Sequence, residues 1–345
     1  MFQDKLEFLD IIKVALKIPL QNGTFTMFAL ATNLPFLCFL VFYEIVLQQT
    51  LLHEAFKIPT QWGRYTNWST EDWSEPFSLT TSLSKILIPK LIKLLFLYLV
   101  PYHVLEFLSV TAVVDSASRL LGGEETERST NLRNMIGKFV KETKLKGPFV
   151  TSVYVRLLST SLLVGLIWIV ADYLILTRGH GFVYDYTYYG YYYYHRRSVG
   201  NYLLSFVILV LHGAAFVGLL MKFMEWSGGW NMSFVISVLD EESSGIEAFE
   251  ASAYYIRGSK QRGAKLMLVF FAWECLLRLP CNIGGCYRSK AGFTLTFVSA
   301  ILICAGNVVK WLVCLVYYLD SKKRVLEKKV DVELGTRPKG TNTEE

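Results

Sequence analysis

The chain has 345 residues, is 52% hydrophobic, has a mean hydropathy of +0.34 and carries a formal net charge of +6. This is too apolar for an ordinary soluble domain, and several runs approach the roughly 20 apolar residues that a bilayer core requires. Strands with barrel-like alternation are missing, which leaves an all-α polytopic membrane protein of about six transmembrane helices as the expected class.

Residues 1–22 are expected to form a cytosolic interfacial helix. Phe2, Leu6, Leu9, Ile12 and Leu16 fall on one stripe, with Lys5, Lys13 and Lys17 off it, and Pro19 and Asn22-Gly23 close it. The segment lacks the compact apolar core and small-residue cleavage site of a signal peptide. The membrane domain is expected over 23–320, with spans near 24–48, 91–114, 149–176, 202–224, 265–280 and 292–319, the fifth being short. Asn33-Leu-Pro35 predicts a kink in the first span, and Glu44 is expected at headgroup level.

A first outer loop is expected over 49–83, with Trp62, Trp68 and Trp73 suited to the aromatic belt. Asn67-Trp-Ser69 is a glycosylation sequon on that side. A second, Asn231-Met-Ser233, falls at the cytosolic edge and is expected to stay unmodified. The second span carries Pro101, His103 and Glu106. An amphipathic segment follows it, starting at Ser129 and carrying Met135, Ile136, Phe139 and Val140 on one face.

Between the third and fourth spans, eight of the eleven residues Tyr184–Tyr194 are tyrosine. They read as an aromatic collar, with a carbohydrate- or cation-recognising surface as the alternative. After the fourth span, Ser244-Gly-Ile-Glu247 fits a capping box opening a short helix, and Gly258 after Arg257 fits a C′ glycine ending it. The basic step Arg257, Lys260, Arg262 and Lys265 is a candidate contact for anionic lipid headgroups. The order of span, small-residue exit, amphipathic helix and basic step occurs twice. This suggests a repeat pairing 100–160 with 219–278 and Glu106 with Glu225.

Cys281 and Cys286 bracket the last outer loop as a candidate disulfide. The tail 321–345 begins with Lys322-Lys-Arg324 and then reads as disordered. Placing both termini in the cytosol puts 22 of the 35 basic residues inside and 10 outside. The net charge therefore orients the chain and meets headgroups, and does not read as a nucleic-acid footprint.

Ionisable residues inside spans are costly and count as candidate sites. Glu274 and Arg278 are four apart and can pair on one helix face. Glu106 and Glu225 are placed to face Arg156 and Lys310, either as structural pairs or as a solute or proton path. His103 and His212 can titrate near neutrality, and Asp172 lies near the outer end of the third span.

At Ile236-Ser-Val-Leu-Asp240, Gly245-Ile-Glu-Ala248, Ser252 and Arg257-Gly258 the sequence resembles a plant family of uncharacterised multi-spanning membrane proteins. That family is similar in turn to the membrane domain attached to some bacterial glycerophosphodiester phosphodiesterases. The resemblance implies a six-span helical fold and no defined activity, since neither the phosphodiesterase barrel nor a cluster of carboxylates for a divalent metal is present in the sequence. The Tyr-rich outer loop departs from the family pattern.

The reading is a non-enzymatic multi-pass protein of the secretory pathway or plasma membrane. Its cytosolic amphipathic helices contact anionic headgroups or partners, whose identity the sequence leaves open. A transporter of small solutes or lipids, using the in-membrane charges, is the alternative. No cofactor and no metal site are expected, and no nucleophile–base arrangement supports an enzyme.

Overall fold

The computed structural model describes residues 7–65, 89–90, 92–122, 137, 145–185, 199–240, 243–283 and 290–333. Eight helices organise them: α1 Phe8–Gln21, α2 Gly23–Tyr65, α3 Ile92–Gly122, α4 Lys146–Asp185, α5 Val199–Leu239, α6 Ile246–Ile256, α7 Lys260–Ile283 and α8 Lys290–Glu333. No strand occurs among the described residues. A helix pairs its interior backbone polar groups within itself, which is what a lipid environment demands.

Five helices are long and apolar enough to cross a membrane: Gly23–Thr50 in α2, α3, Lys146–Val170 in α4, Phe206–Leu239 in α5 and Lys290–Val330 in α8. The expected sixth span lies in α7, an unbroken helix of 24 residues. At 1.5 Å per residue it is about 36 Å long, enough to cross a hydrocarbon core. Its basic first turns, together with Glu274 and Arg278, lower its apolarity.

α8 is the axis of the bundle, in contact with α1, α2, α3, α5, α6 and α7. From Trp311 to Tyr318 every residue is buried. α4 pairs with α5 at the edge of the bundle. Phe223, Met224, Met232 and Phe234–Ile236 of α5 are buried in the core, whereas Ile167, Trp168, Phe206 and Leu211 at that edge are all exposed. On a soluble protein such a surface would be an aggregation liability, whereas here it matches lipid.

The elements run further than the expected boundaries. α2 is helical to Tyr65, so the segment from residue 49 to that point is not loop. α5 continues through Trp226 and Trp230 to Leu239 where an exit from the membrane was expected near 224. α8 continues to Glu333, so the first half of the tail is helix; its Lys322, Lys323 and Arg324 belong to that helix. Residues 334–345 lie outside the described residues, as do Asn67, Trp68, Trp73, Tyr186–Tyr194 and Cys286, and with them the sequon, most of the tyrosine run and the candidate disulfide. The amphipathic segment from Ser129, apart from Gly137, lies there too, so the proposed repeat has no counterpart to compare.

Two local signals resolve differently from expectation. No side chain caps α6: its N-cap is Gly245 at φ +59°, and Ser244 makes no cap hydrogen bond. The Gly245 N–H instead donates to Thr151 Oγ1 at 2.9 Å, and a Cβ on Gly147 would lie 3.1 Å from Ser244 Cβ, so this corner is docked on the first turns of α4. At the other end, Gly258 does not adopt positive φ, because the chain turns directly into α7. Ser259 accepts from the backbone N–H groups of Arg262 and Gly263 and so opens α7.

The buried face of α1 is Ile11, Ala15 and Ile18, packed against the bundle. Leu9, Leu16 and Leu20 are exposed. Of the predicted stripe, Leu9 and Leu16 thus face outward, Ile12 packs against the bundle beside the buried face, and Phe2 and Leu6 lie outside the described residues. α5 crosses α7 at Gly228 and Gly263, so closely that a Cβ on Gly228 would lie 3.2 Å from the Gly263 backbone. Such small-residue crossings let membrane helices gain backbone packing.

Candidate functional site

A seam of polar side chains runs through the bundle between α2, α3, α4, α7 and α8. Its centre is a π-helical turn, Tyr98–Tyr102, within α3. Pro101 in that turn supplies no backbone donor, which interrupts the ordinary ladder, and such turns recur at functional sites. Tyr98 and Tyr102, four apart, stack with ring centroids 5.0 Å apart. Tyr43 of α2 completes a triad, 6.1 Å from Tyr98 and 5.8 Å from Tyr102.

On one side of the triad Arg156 of α4 is tied down along every edge of its guanidinium. Nη2 forms an ion pair with Glu106, Nη1 donates to Tyr98 Oη at 2.7 Å, and Nε donates to His103 Nδ1 at 3.2 Å. Its plane also lies over the Tyr98 and Tyr102 rings, 5.0 and 5.6 Å from their centroids. This uses the planar, multi-donor geometry of arginine, which lysine could not reproduce. Lys310 of α8 is within electrostatic reach of Glu106, and its Nζ sits 5.2 Å from the Trp311 ring centroid.

The network assigns the His103 tautomer. Nδ1 accepts from Arg156, so a neutral ring carries its proton on Nε2, 3.3 Å from Ser152 Oγ. Ser152 Oγ donates its own proton to the Phe149 carbonyl at 2.8 Å. The histidine therefore has no lone pair facing the hydroxyl, and Ser152–His103 is not a nucleophile–base pair.

On the other side of the triad Arg278 of α7 lies 3.2 Å from Glu44 of α2, whose side chain is 4% exposed. Glu274 adds a second carboxylate to the same electrostatic group. Tyr102 is within electrostatic reach of both Glu106 and Arg278. One helical turn beyond Glu44, Gln48 Nε2 meets Thr296 Oγ1 of α8 at 3.3 Å. Toward the opposite end, Asn33 receives the Ser109 hydroxyl, donates to the Ala29 carbonyl at 2.7 Å, and lies 3.8 Å from Cys304 Sγ.

Of the sequence candidates, the structure brings together Glu106, Arg156, His103, Lys310, Glu274 and Arg278. Glu225 does not join them: it pairs with Lys222 on its own helix at 2.9 Å, with 30% of its side chain exposed. The carboxylate within ion-pair distance of Arg278 belongs to Glu44, which is buried against protein. His212 meets Asp172 at 3.2 Å across the α4–α5 hairpin, apart from the seam. Asn231 of the second sequon is buried in α5 with its amide on Ser227 and Met267, where no glycosylating enzyme reaches it.

Tyr43, Gln48, Tyr98, Tyr102, Ser109, Ser152 and Thr296 were not singled out from sequence. Two spacings carry a signal: Tyr98 to Tyr102 around Pro101, and Glu44 to Gln48, each one helical turn within an otherwise apolar run.

The second candidate surface is the basic corner where α6 turns into α7. Arg257, Lys260 and Lys265 are exposed there. Lys328 and Lys329 of α8 join them: Lys328 Nζ lies 3.9 Å from the position a Cβ on Gly258 would take, and Lys329 Nζ stands 5.6 Å from the Tyr254 ring centroid. Arg262 differs from its neighbours. It is half-buried and lies 3.3 Å from Asp320, which Arg324 also contacts at 2.8 Å. Tyr317, bonded to both the hydroxyl and the carbonyl of Ser259, locks the same corner to α8.

No protein-family model, no curated protein and no solved structure matches the chain.

Proposed function

We propose that this integral membrane protein is non-enzymatic and that its basic helical end binds anionic lipid headgroups on the cytosolic leaflet. The observation that carries this is the convergence of five exposed cations, Arg257, Lys260, Lys265, Lys328 and Lys329, from the α6–α7 turn, α7 and α8. A cation at an anionic surface contributes about 1 kcal/mol. The exposed Leu9, Leu16 and Leu20 of α1 supply an apolar partner for the adjoining acyl region. Arg262 is excluded from this role because Asp320 holds it.

The test is lipid selectivity in reconstituted bilayers, read with spin-labelled anionic and zwitterionic lipids. The intact protein should enrich anionic lipid at its perimeter, less so at high salt. Selectivity unchanged after Arg257, Lys260 and Lys265 are replaced by Gln would overturn the assignment.

One observation favours a second reading, transport of protons or a small solute along the seam: two ion pairs within the bundle, Glu106–Arg156 and Glu44–Arg278, lie within electrostatic reach of the same residue, Tyr102. Under this reading Glu106→Gln abolishes flux in proteoliposomes and Glu225→Gln leaves it intact. Equal flux in folded Glu106→Gln protein would refute it. Kinship with the plant membrane family, and residence in the secretory pathway or plasma membrane, are proposed on the sequence resemblance and charge asymmetry alone.

A further inference from the structure

We propose that Asp172 of α4 and His212 of α5 form a one-proton site that latches these helices together at the end of α5 remote from the basic corner. With the proton bound the latch is closed, and loss of the proton opens it. The pair lies apart from the basic corner and from the polar seam, so it stands or falls independently of both readings above.

Both ring nitrogens of His212 face acceptors. Nδ1 lies 2.9 Å from the Ile208 carbonyl, one turn back on α5, and Nε2 lies 3.2 Å from Asp172 Oδ2. A backbone carbonyl can only accept, so Nδ1 carries a proton. A neutral ring would then turn its Nε2 lone pair toward the carboxylate, and the two would repel. The other neutral tautomer moves the same conflict to Ile208. The contact closes only with one more proton, as imidazolium against carboxylate or as imidazole against carboxylic acid. His103 is the contrast: Arg156 donates to its Nδ1, so that ring completes its bonds while neutral.

Asp172 lies just past the apolar stretch Lys146–Val170, and His212 sits in the second turn of Phe206–Leu239. Half of the Asp172 side chain is exposed, which gives the proton a way in and out. Farther toward the bundle, α4 and α5 meet through apolar packing, where a Cβ on Gly165 would lie 3.4 Å from Leu219 Cδ2. At the latch itself the Tyr173 ring stands 6.0 Å from the His212 ring. Asp172 and Tyr173 are thus the titratable groups of α4 beside the imidazole, and among the described residues no charge on another helix acts on it.

The sign of the response follows from the proton count. The closed pair holds one proton more than the open pair of neutral imidazole and carboxylate, so rising pH opens the latch and falling pH closes it. An ordinary histidine changes charge between about pH 5 and 8, which sets the range to search.

The experiment is a spin-label distance measurement on the full chain in lipid nanodiscs, from about pH 5 to about pH 9, in a background without accessible cysteines. Labels at Ile167→Cys and Phe206→Cys, both exposed positions, report the latch. Labels at Leu157→Cys and Met221→Cys, also exposed, report the packed part of the same two helices. The first distance should lengthen and broaden reversibly as pH rises, while the second stays constant. His212→Gln, whose amide donates to the carboxylate at any pH, should abolish the response, as should Asp172→Asn. If one of these variants fails to fold, the other decides together with the wild-type pair. A first distance constant across the range would overturn the proposal. So would an equal response of the two label pairs, or a response retained in either variant.

Discussion

Arg278 on α7 lies 3.2 Å from Glu44 on α2, a carboxylate contributed by another helix and not the one four residues before it in its own. The ion pair therefore joins two elements where an intrahelical pair would have joined none. Removing one partner of a buried pair costs roughly 3–5 kcal/mol, because the other charge is left uncompensated. Glu44→Gln should lower the thermal unfolding midpoint in detergent or lipid far more than Glu274→Gln. Equal losses would mean that Arg278 is shared evenly.

Arg156 and Glu106 should behave as a unit. Each single neutralisation, Arg156→Met or Glu106→Gln, should destabilise by about 3–5 kcal/mol, and the double variant by less than the sum. A double-mutant cycle measures this coupling. Additive losses would show that the contacts of Arg156 with Tyr98 and His103, and not its charge on Glu106, hold it in place.

Members of the basic step should separate into two kinds. Arg257, Lys260 and Lys265, replaced together by Gln, should reduce anionic-lipid selectivity by up to about 1 kcal/mol each with little change in stability. Arg262→Gln should do the reverse, loosening α7 from Asp320 on α8. Four cations equal in both assays would contradict the geometry at Asp320.

Glycine positions give a test of packing. Ala at Gly228 places a methyl 3.2 Å from the Gly263 backbone, and Ala at Gly263 places one 3.0 Å from the Tyr317 hydroxyl. Each should cost about 1–3 kcal/mol. Gly245→Ala strains a backbone at φ +59° and should destabilise, whereas Ser244→Ala should leave α6 unaffected, since no cap bond is lost. Thermal unfolding of the four variants separates these cases, and a larger loss for Ser244→Ala would restore the capping-box reading.

What the sequence reveals here divides along physical lines. Apolar run length announces α2, α3, α4, α5 and α8, because lipid imposes it locally. The ends of those helices lie beyond the apolar runs for different reasons: Met232–Ile236 of α5 are buried in the bundle core, whereas α8 continues past Lys322 with Leu326–Val330 exposed. Glu106 and Arg156 were recognised because charge within a span is conspicuous. Tyr43, Tyr98 and Tyr102 were not, because a tyrosine in an apolar run signals nothing until the π turn sets its neighbours. Glu225 was misjudged for the opposite reason: its sequence position matched Glu106, but Lys222 stood three residues away to neutralise it.

Sidedness of α7 tests the central claim most directly. Lys260 and Lys290 are exposed residues, one at the start of α7 and one at the start of α8 just beyond its far end. In a background without accessible cysteines, Lys260→Cys and Lys290→Cys should react with a membrane-impermeant thiol reagent from opposite sides of sealed cells, Lys290→Cys alone from outside. Labelling of both from the same side would mean that α7 does not cross, and would remove the basic corner from the leaflet proposed for it.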